Sequence, residues 1–262
     1  MEDKERIASI ADASKPNAGR IYDFVLGGNH NFEVDRVTAQ QILKLIPDYP
    51  QMARFVRWFL GEAVRRVADE GYRNFVDFAS GLPTVDHIHQ ITPPGTRVIY
   101  SDVDPVTVAY GQEIIRELPN VRYVVCDAAK PETILASPLP GQLFGRSRNV
   151  VFGLNGVAFF LKDDQIAHTM KTLYEWAEKG SRLYLCDSDQ EASHVPREQM
   201  EIWERMGQPF YFRSTRRLQE LVAPWGVGQG FKPMGDWLGV SMRPEDKKSP
   251  YADNLRGAIL EK

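Results

Sequence analysis

Three aspartates recur at nearly even spacing, each closing a short apolar run: Asp77 after NFV, Asp102 after RVIYS and Asp127 after VRYVVC. Runs of this length separated by helical stretches read as strands of a mostly parallel sheet, and open sheets of that kind bind ligands beyond the carboxyl ends of their strands. A carboxylate there can accept from both hydroxyls of a ribose, the role expected of Asp102 with Val103 beside it. It can equally accept from the exocyclic amine of an adenine, the role expected of Asp127 and its neighbour Ala128. Any one of the three could instead cap a helix or start a turn, a common use of Asp. Their shared location argues for a site.

The densest signal is DFASGLPT, residues 77–84. Ala79, Ser80 and Gly81 are small enough for the backbone to approach a ligand, and the helix expected to follow would offer unpaired N–H groups to a carboxylate. A nucleoside that carries an amino acid, S-adenosylmethionine, suits such a loop. A dinucleotide turn would need G-x-G-x-x-G, from which ASGLPT with its Pro83 departs, so NAD and FAD are disfavoured.

Two helices are expected in 37–70, split between Pro47 and Pro50. Beyond Gly71 the strands NFVDFAS, RVIYSD, VRYVVCD, NVVFGLNG and SRLYLCDSD alternate with helices, the clearest over 105–118 and 163–178. Further helices are expected over 196–206 and 214–222, with GQGFKPMGDWLGV supplying closing strands. No repeat or low-complexity linker forces a boundary, so residues 1–70 read as a helical cap on the domain formed by 71–262.

The chain has 262 residues, 43% hydrophobic and 26% charged, with a formal net charge of −3. That is an ordinary globular composition without the basic footprint of a nucleic-acid binder. No run approaches the ~18 apolar residues of a membrane span and the N-terminus lacks an apolar leader, so a cytoplasmic location is expected. Cys126 and Cys186 fall inside apolar strands, as in a reduced interior. Asp86, His87 and His89 invite a metal, but on a helix the two histidines would diverge and no further ligand set accompanies them, so none is expected.

Two stretches resemble a known family. PNAGRIYDFVLGGNHNFEVDR, residues 16–36, and SGLPT followed by SDVDP are similar to the S-adenosylmethionine-dependent methyltransferases formerly catalogued as a domain of unknown function and abundant in actinomycetes. Weaker similarity continues through NVVFGLNGVAFFLKDD, GSRLYLCDSD, 213–222 and GDWLG. The resemblance implies a Rossmann-like class I fold: an α/β, mostly parallel seven-stranded sheet with helices on both faces. It also implies S-adenosylmethionine as cofactor and S-adenosylhomocysteine as product. Ala79 stands where such loops usually carry glycine.

The N-terminal signature could fold over the cofactor pocket. Arg20 could pair with the methionyl carboxylate, Tyr22 could contact cofactor or acceptor, and Asp23 could orient Arg20, although a buried structural network would use the same residue types. His30 and Asn155 are the polar groups placed to face a methyl acceptor, and of the two only His30 could act as base. Each could equally be a hydrogen-bonded loop or strand-end residue. Aromatics in QPFYF, APW and GDW could line an acceptor pocket or belong to the core. The acceptor is expected to be a small molecule, with no nucleic-acid or membrane partner and a homodimer compatible with the sequence. A non-catalytic S-adenosylmethionine sensor, or an enzyme using the cofactor for other chemistry, would present the same features.

Overall fold

The computed structural model describes residues 14–84, 86–189, 196–239 and 242–262. Three helices come first: α1 (Ala18–Val25), α2 (Glu33–Leu45) and α3 (Tyr49–Asp69). Asn17 starts α1 by accepting from the Gly19 and Arg20 amides, and Pro50 occupies the first turn of α3, where its missing N–H costs nothing. The chain then runs β1 (Asn74–Asp77), α4 (Ile88–Ile91), β2 (Arg97–Asp102), α5 (Pro105–Ile114), β3 (Val121–Val125), α6 (Glu132–Leu135) and α7 (Leu139–Phe144). There follow β4 (Val151–Asn155), α8 (Asp163–Trp176), β5 (Arg182–Ser188), α9 (Arg197–Arg205), α10 (Thr215–Leu221), β6 (Lys232–Pro233), α11 (Met234–Leu238), α12 (Pro250–Asn254) and β7 (Leu255–Glu261).

The seven strands lie in the order β3-β2-β1-β4-β5-β7-β6. Pairing is parallel from β3 to β5, and β7 runs antiparallel between β5 and β6. Alternation along the strands divides the core between the two faces. Phe75, Val98, Val151 and Tyr184 pack with Phe55, Phe59 and Val64 of α3, whereas Val76, Ile99, Phe152 and Leu183 pack with Ile166, Met170 and Leu173 of α8. Helices therefore cover both faces, and each fully buried apolar side chain contributes about 1.5–3 kcal/mol. No helix among the described residues is long and apolar enough to cross a membrane.

Two expectations change. GQGFKPMGDWLGV supplies only the two-residue β6 before turning into α11, and the closing strand is LRGAILE at 255–261. The loop after Gly81 does not open into a long helix: α4 begins only at Ile88 and lasts one turn. A ligand at Gly81 therefore meets loop backbone, not a helix N-terminus.

Candidate functional site

A cavity of about 800 Å³ opens at the carboxyl ends of the strands. Its walls include Tyr22, Asp77, Ala79, Ser80, Gly81, Asp102, Val103, Asp127, Ala128 and Asn155, which β1 to β4 and α1 bring together from across the sequence. Arg20 and His30 are not among its lining residues.

The loop of 79–81 turns sharply. Ala79 (φ 51°) and Gly81 (φ 60°) both take left-handed conformations, so alanine occupies a geometry that favours glycine. A Cβ on Gly81 would meet nothing within 4 Å, which leaves its backbone bare beside the cavity. The Ser80 and Ser101 hydroxyls donate to the Asp77 carbonyl and pin the turn to the strand end.

Asp77 is buried, and its Oδ1 accepts from the Tyr184 hydroxyl at 2.6 Å. Burial pushes its carboxyl above the usual range, an effect opposed by the Tyr184 hydrogen bond and by the Arg57 guanidinium. Asp102 Oδ2 accepts from the Gly81 amide at 3.1 Å and Oδ1 from the Asp104 amide at 3.0 Å. Burial nevertheless raises Asp102 from 3.8 to about 6, because two amides only partly replace lost water. Asp127 turns one oxygen to the Ala129 amide at 2.9 Å.

The N-terminal signature is interlocked. Arg20 is buried and donates from Nε to Asp35 at 2.8 Å, from one terminal nitrogen to Asp104 at 2.5 Å and from the other to the Lys15 carbonyl at 2.6 Å. Its donors are engaged by protein groups, so it ties the signature to the loop after β2 and does not face the cavity. Asp35, not Asp23, orients it. Asp23 instead accepts from the His30 amide and the Asn31 side chain, both at 2.9 Å. A Cβ on Gly28 would lie 2.1 Å from Asp23 Oδ1, which explains the glycine. His30 packs edge-on against Tyr110, with ring centroids 5.9 Å apart. Gly19 sits over the cofactor-type loop, its absent Cβ 3.6 Å from Gly81 Cα and 3.9 Å from Asp102 Oδ2.

Two cavity residues have their polar ends committed. The Tyr22 hydroxyl donates to the Ala53 carbonyl at 2.9 Å, leaving its ring as wall. Asn155 donates to the Val56 carbonyl and accepts from Cys186 Sγ. His87 is fully buried, and desolvation holds its imidazole neutral, far below the usual histidine range. Among the described residues no cluster of three or more metal-type ligands exists. Cys126 and Cys186 are free and buried.

Arg57 of α3 was not singled out in the sequence. It lines the cavity, and its Nη1 is buried without a hydrogen-bond partner. The signal was available: Ala53, Leu60, Gly61 and Val64 surround it at helical spacing, and all four are buried, so a cation interrupts an apolar stripe.

The cavity's other end is aromatic. Phe159 and Phe160 follow β4, and Phe210 reaches them from the segment after α9, with the Tyr211 amide donating to the Phe159 carbonyl at 2.7 Å. Buried Arg213 clamps the two segments, donating to the Ala158 and Leu161 carbonyls and to Asp163 and Asp187. QPFYF thus contributes to the cavity, whereas Trp225 and Trp237 of APW and GDW lie in the core and donate to the Met170 and Gly257 carbonyls.

A protein family described as S-adenosyl methyltransferase matches residues 4–255. A Thermobifida fusca protein provisionally assigned as a methyltransferase is 28% identical and superposes with a TM-score of 0.85 over 96% of both chains. A DUF574 family protein from Streptomyces avermitilis is 24% identical with a TM-score of 0.83, over 96% of this chain and 99% of its own. The magnesium protoporphyrin IX methyltransferase of Synechocystis, solved with S-adenosylhomocysteine bound, shares the fold at 12% identity and a TM-score of 0.52, covering 97% and 99% of the two chains. No curated protein matches.

Proposed function

From the premise that the chain belongs to the S-adenosyl methyltransferase family, and is an S-adenosylmethionine-dependent methyltransferase, we propose a layout for its site and a small-molecule acceptor. The observation that carries the layout is the single cavity wall shared by the 79–81 turn, three strand-end carboxylates and an unpartnered Arg57 donor. The residues fit the cofactor: a cationic group with a spare donor suits the methionyl carboxylate, the bare backbone at Gly81 suits its amino-acid stem, and Asp102 and Asp127 suit ribose and adenine. Arg57 takes the part that the sequence suggested for Arg20.

The cofactor supplies an electrophilic methyl group on a sulfonium. The chain's task is alignment for an in-line displacement, and pre-orientation of this kind is worth up to about 7–11 kcal/mol. Asp102 anchors one end of the ligand through acceptor oxygens already aimed by two amides, Arg57 anchors the other, and the Tyr22 ring walls off the space between. A volume within the about 300–1,000 Å³ of small-molecule pockets favours a small acceptor over a macromolecule. The absence of a basic footprint in the sequence agrees. Cytoplasmic residence and a homodimer belong to the same reading.

The experiment is calorimetric titration with S-adenosylhomocysteine and with 5′-methylthioadenosine, which lacks the amino-acid end. Asp102→Ala should weaken both ligands, and Arg57→Met should weaken the first about tenfold or more and spare the second. Equal losses with Arg57→Met would remove it from carboxylate recognition. Tight binding with no methyl transfer to any acceptor would instead favour a sensor.

A further inference from the structure

The sheet divides the cavity. Asp77 and Asp102 end β1 and β2 and Asp127 follows β3, whereas the connections leaving β4 and β5 build the wall beyond β1 on the opposite side from β2 and β3. That second wall is a cluster of half-buried rings. Phe159, Phe160 and Phe210 lie with centroids 4.8, 5.2 and 4.9 Å apart, so each touches the other two. Trp203 backs them, 4.9 Å from Phe210 and 5.8 Å from Phe160. Tilted and edge-on packing leaves ring faces and edges exposed to the cavity, the arrangement in which another aromatic ring is held at similar spacing.

Polar groups interrupt this wall, and two buried polar atoms there lack partners, Gln199 Oε1 and Trp203 Nε1. Gln199 lines the cavity, is only 3% exposed, and its Oε1 is buried with no hydrogen-bond partner. A buried carbonyl without a donor is costly, and native interiors rarely leave one unless ordered water or a ligand completes it. Gln199 lies one helical turn before Trp203 on α9, so the acceptor oxygen and the ring cluster belong to one surface.

We infer that the methyl acceptor is a planar aromatic molecule bearing an O–H or N–H group, its ring held against Phe159, Phe160 and Phe210 and one donor taken by Gln199 Oε1. The inference rests on the methyltransferase reading for the word acceptor; the ring-and-donor site stands on the cavity itself. The wall selects by ring stacking, which a saturated molecule of equal size cannot supply, and Gln199 selects by the penalty of leaving its oxygen unpaired.

The test uses the full chain, with and without saturating S-adenosylhomocysteine. The probes are 1-naphthol, 2-naphthol and 9-phenanthrol, each paired with its methyl ether and with a perhydro analogue, and binding is followed by calorimetry. Hydroxyarenes should bind at least tenfold more tightly than their perhydro analogues and at least fivefold more tightly than their ethers. Phe210→Leu, which keeps an apolar side chain but removes the ring, should cut the ring preference about tenfold. Gln199→Met should erase the hydroxyl-over-ether preference while leaving S-adenosylhomocysteine binding unchanged, and thermal melts of both variants confirm folding. Equal affinity for flat and saturated probes, no binding of any hydroxyarene, or preferences untouched by both substitutions would overturn the proposal, even with cofactor binding intact. Failure of S-adenosylhomocysteine to bind would overturn the layout under Proposed function instead, and the ring preference is scored without it.

Discussion

Lowering the pH from 7 to 5 should weaken cofactor binding through one carboxylate. In the ligand-free protein Asp102 is held at about 6, so it is about nine-tenths ionised at pH 7 and about one-tenth ionised at pH 5. Two ribose hydroxyls donate best to the ionised form, and a ligand that selects it sees its apparent affinity scaled by that fraction. The dissociation constant of S-adenosylhomocysteine should therefore rise about tenfold between pH 7 and pH 5. Binding at pH 6 should also release about half a proton, measured from titrations in buffers of different ionisation enthalpy. The effect on folding runs the opposite way: because the folded value lies above 3.8, stability from the protonated carboxyl is full below pH 4 and is lost as pH rises through 6. The ceiling on that loss is about 3 kcal/mol. Asp102→Asn removes the ionisation and should flatten both profiles. An affinity that stays level from pH 5 to 7 in the parent protein, or a slope that survives in Asp102→Asn, refutes the assignment.

Other outcomes follow from the same geometry. Arg20→Ala strands buried Asp35 and half-buried Asp104 and should cost about 3–5 kcal/mol in urea unfolding, whereas loss of cofactor affinity without loss of stability would return Arg20 to the pocket. Gly28→Ala drives a Cβ to 2.1 Å from the Asp23 carboxylate and should destabilise by about 1–3 kcal/mol; an unchanged melting curve would show that the signature loop yields freely. Gly153→Ala places its Cβ 2.0 Å from Asp77 Oδ1 and 2.3 Å from the Tyr184 hydroxyl, so cofactor affinity and stability should fall together. Ala79→Gly relieves a left-handed alanine at the cost of unfolded-state entropy and should be neutral to about 1 kcal/mol stabilising in the same unfolding assay.

The parallel strands were legible because each is a short apolar run, and all but β4, which ends at Asn155, have an acid at or just beyond the end. The closing strand was not: LRGAILE carries Gly257, which weakens a strand pattern, and the reason for that glycine lies 198 residues away. A Cβ there would come within 2.3 Å of the Phe59 ring, a contact no local window contains. The helix expected directly after the 79–81 loop starts late, at Ile88, because Asp86 takes a positive φ that no helix allows.

The signature of 16–36 shows how recognition of a motif differs from assignment of its chemistry. Its residue types were plain, and so was its proximity to the pocket, but partners decide what a guanidinium does. Asp35 and Asp104 both reach Arg20, and Asp104 also offers its amide to Asp102 Oδ1 and caps α5 through the Thr107 amide. Arg20 thereby holds the loop whose amide aims Asp102, the carboxylate proposed to accept from the ribose. Arg57 carries no motif, yet it keeps a buried donor unspent beside Asp77. Arg20 engages all three of its nitrogens with protein oxygens and lies outside the cavity lining, so the search for the ligand's counter-ion passes from the residue in the signature to the residue on the helix.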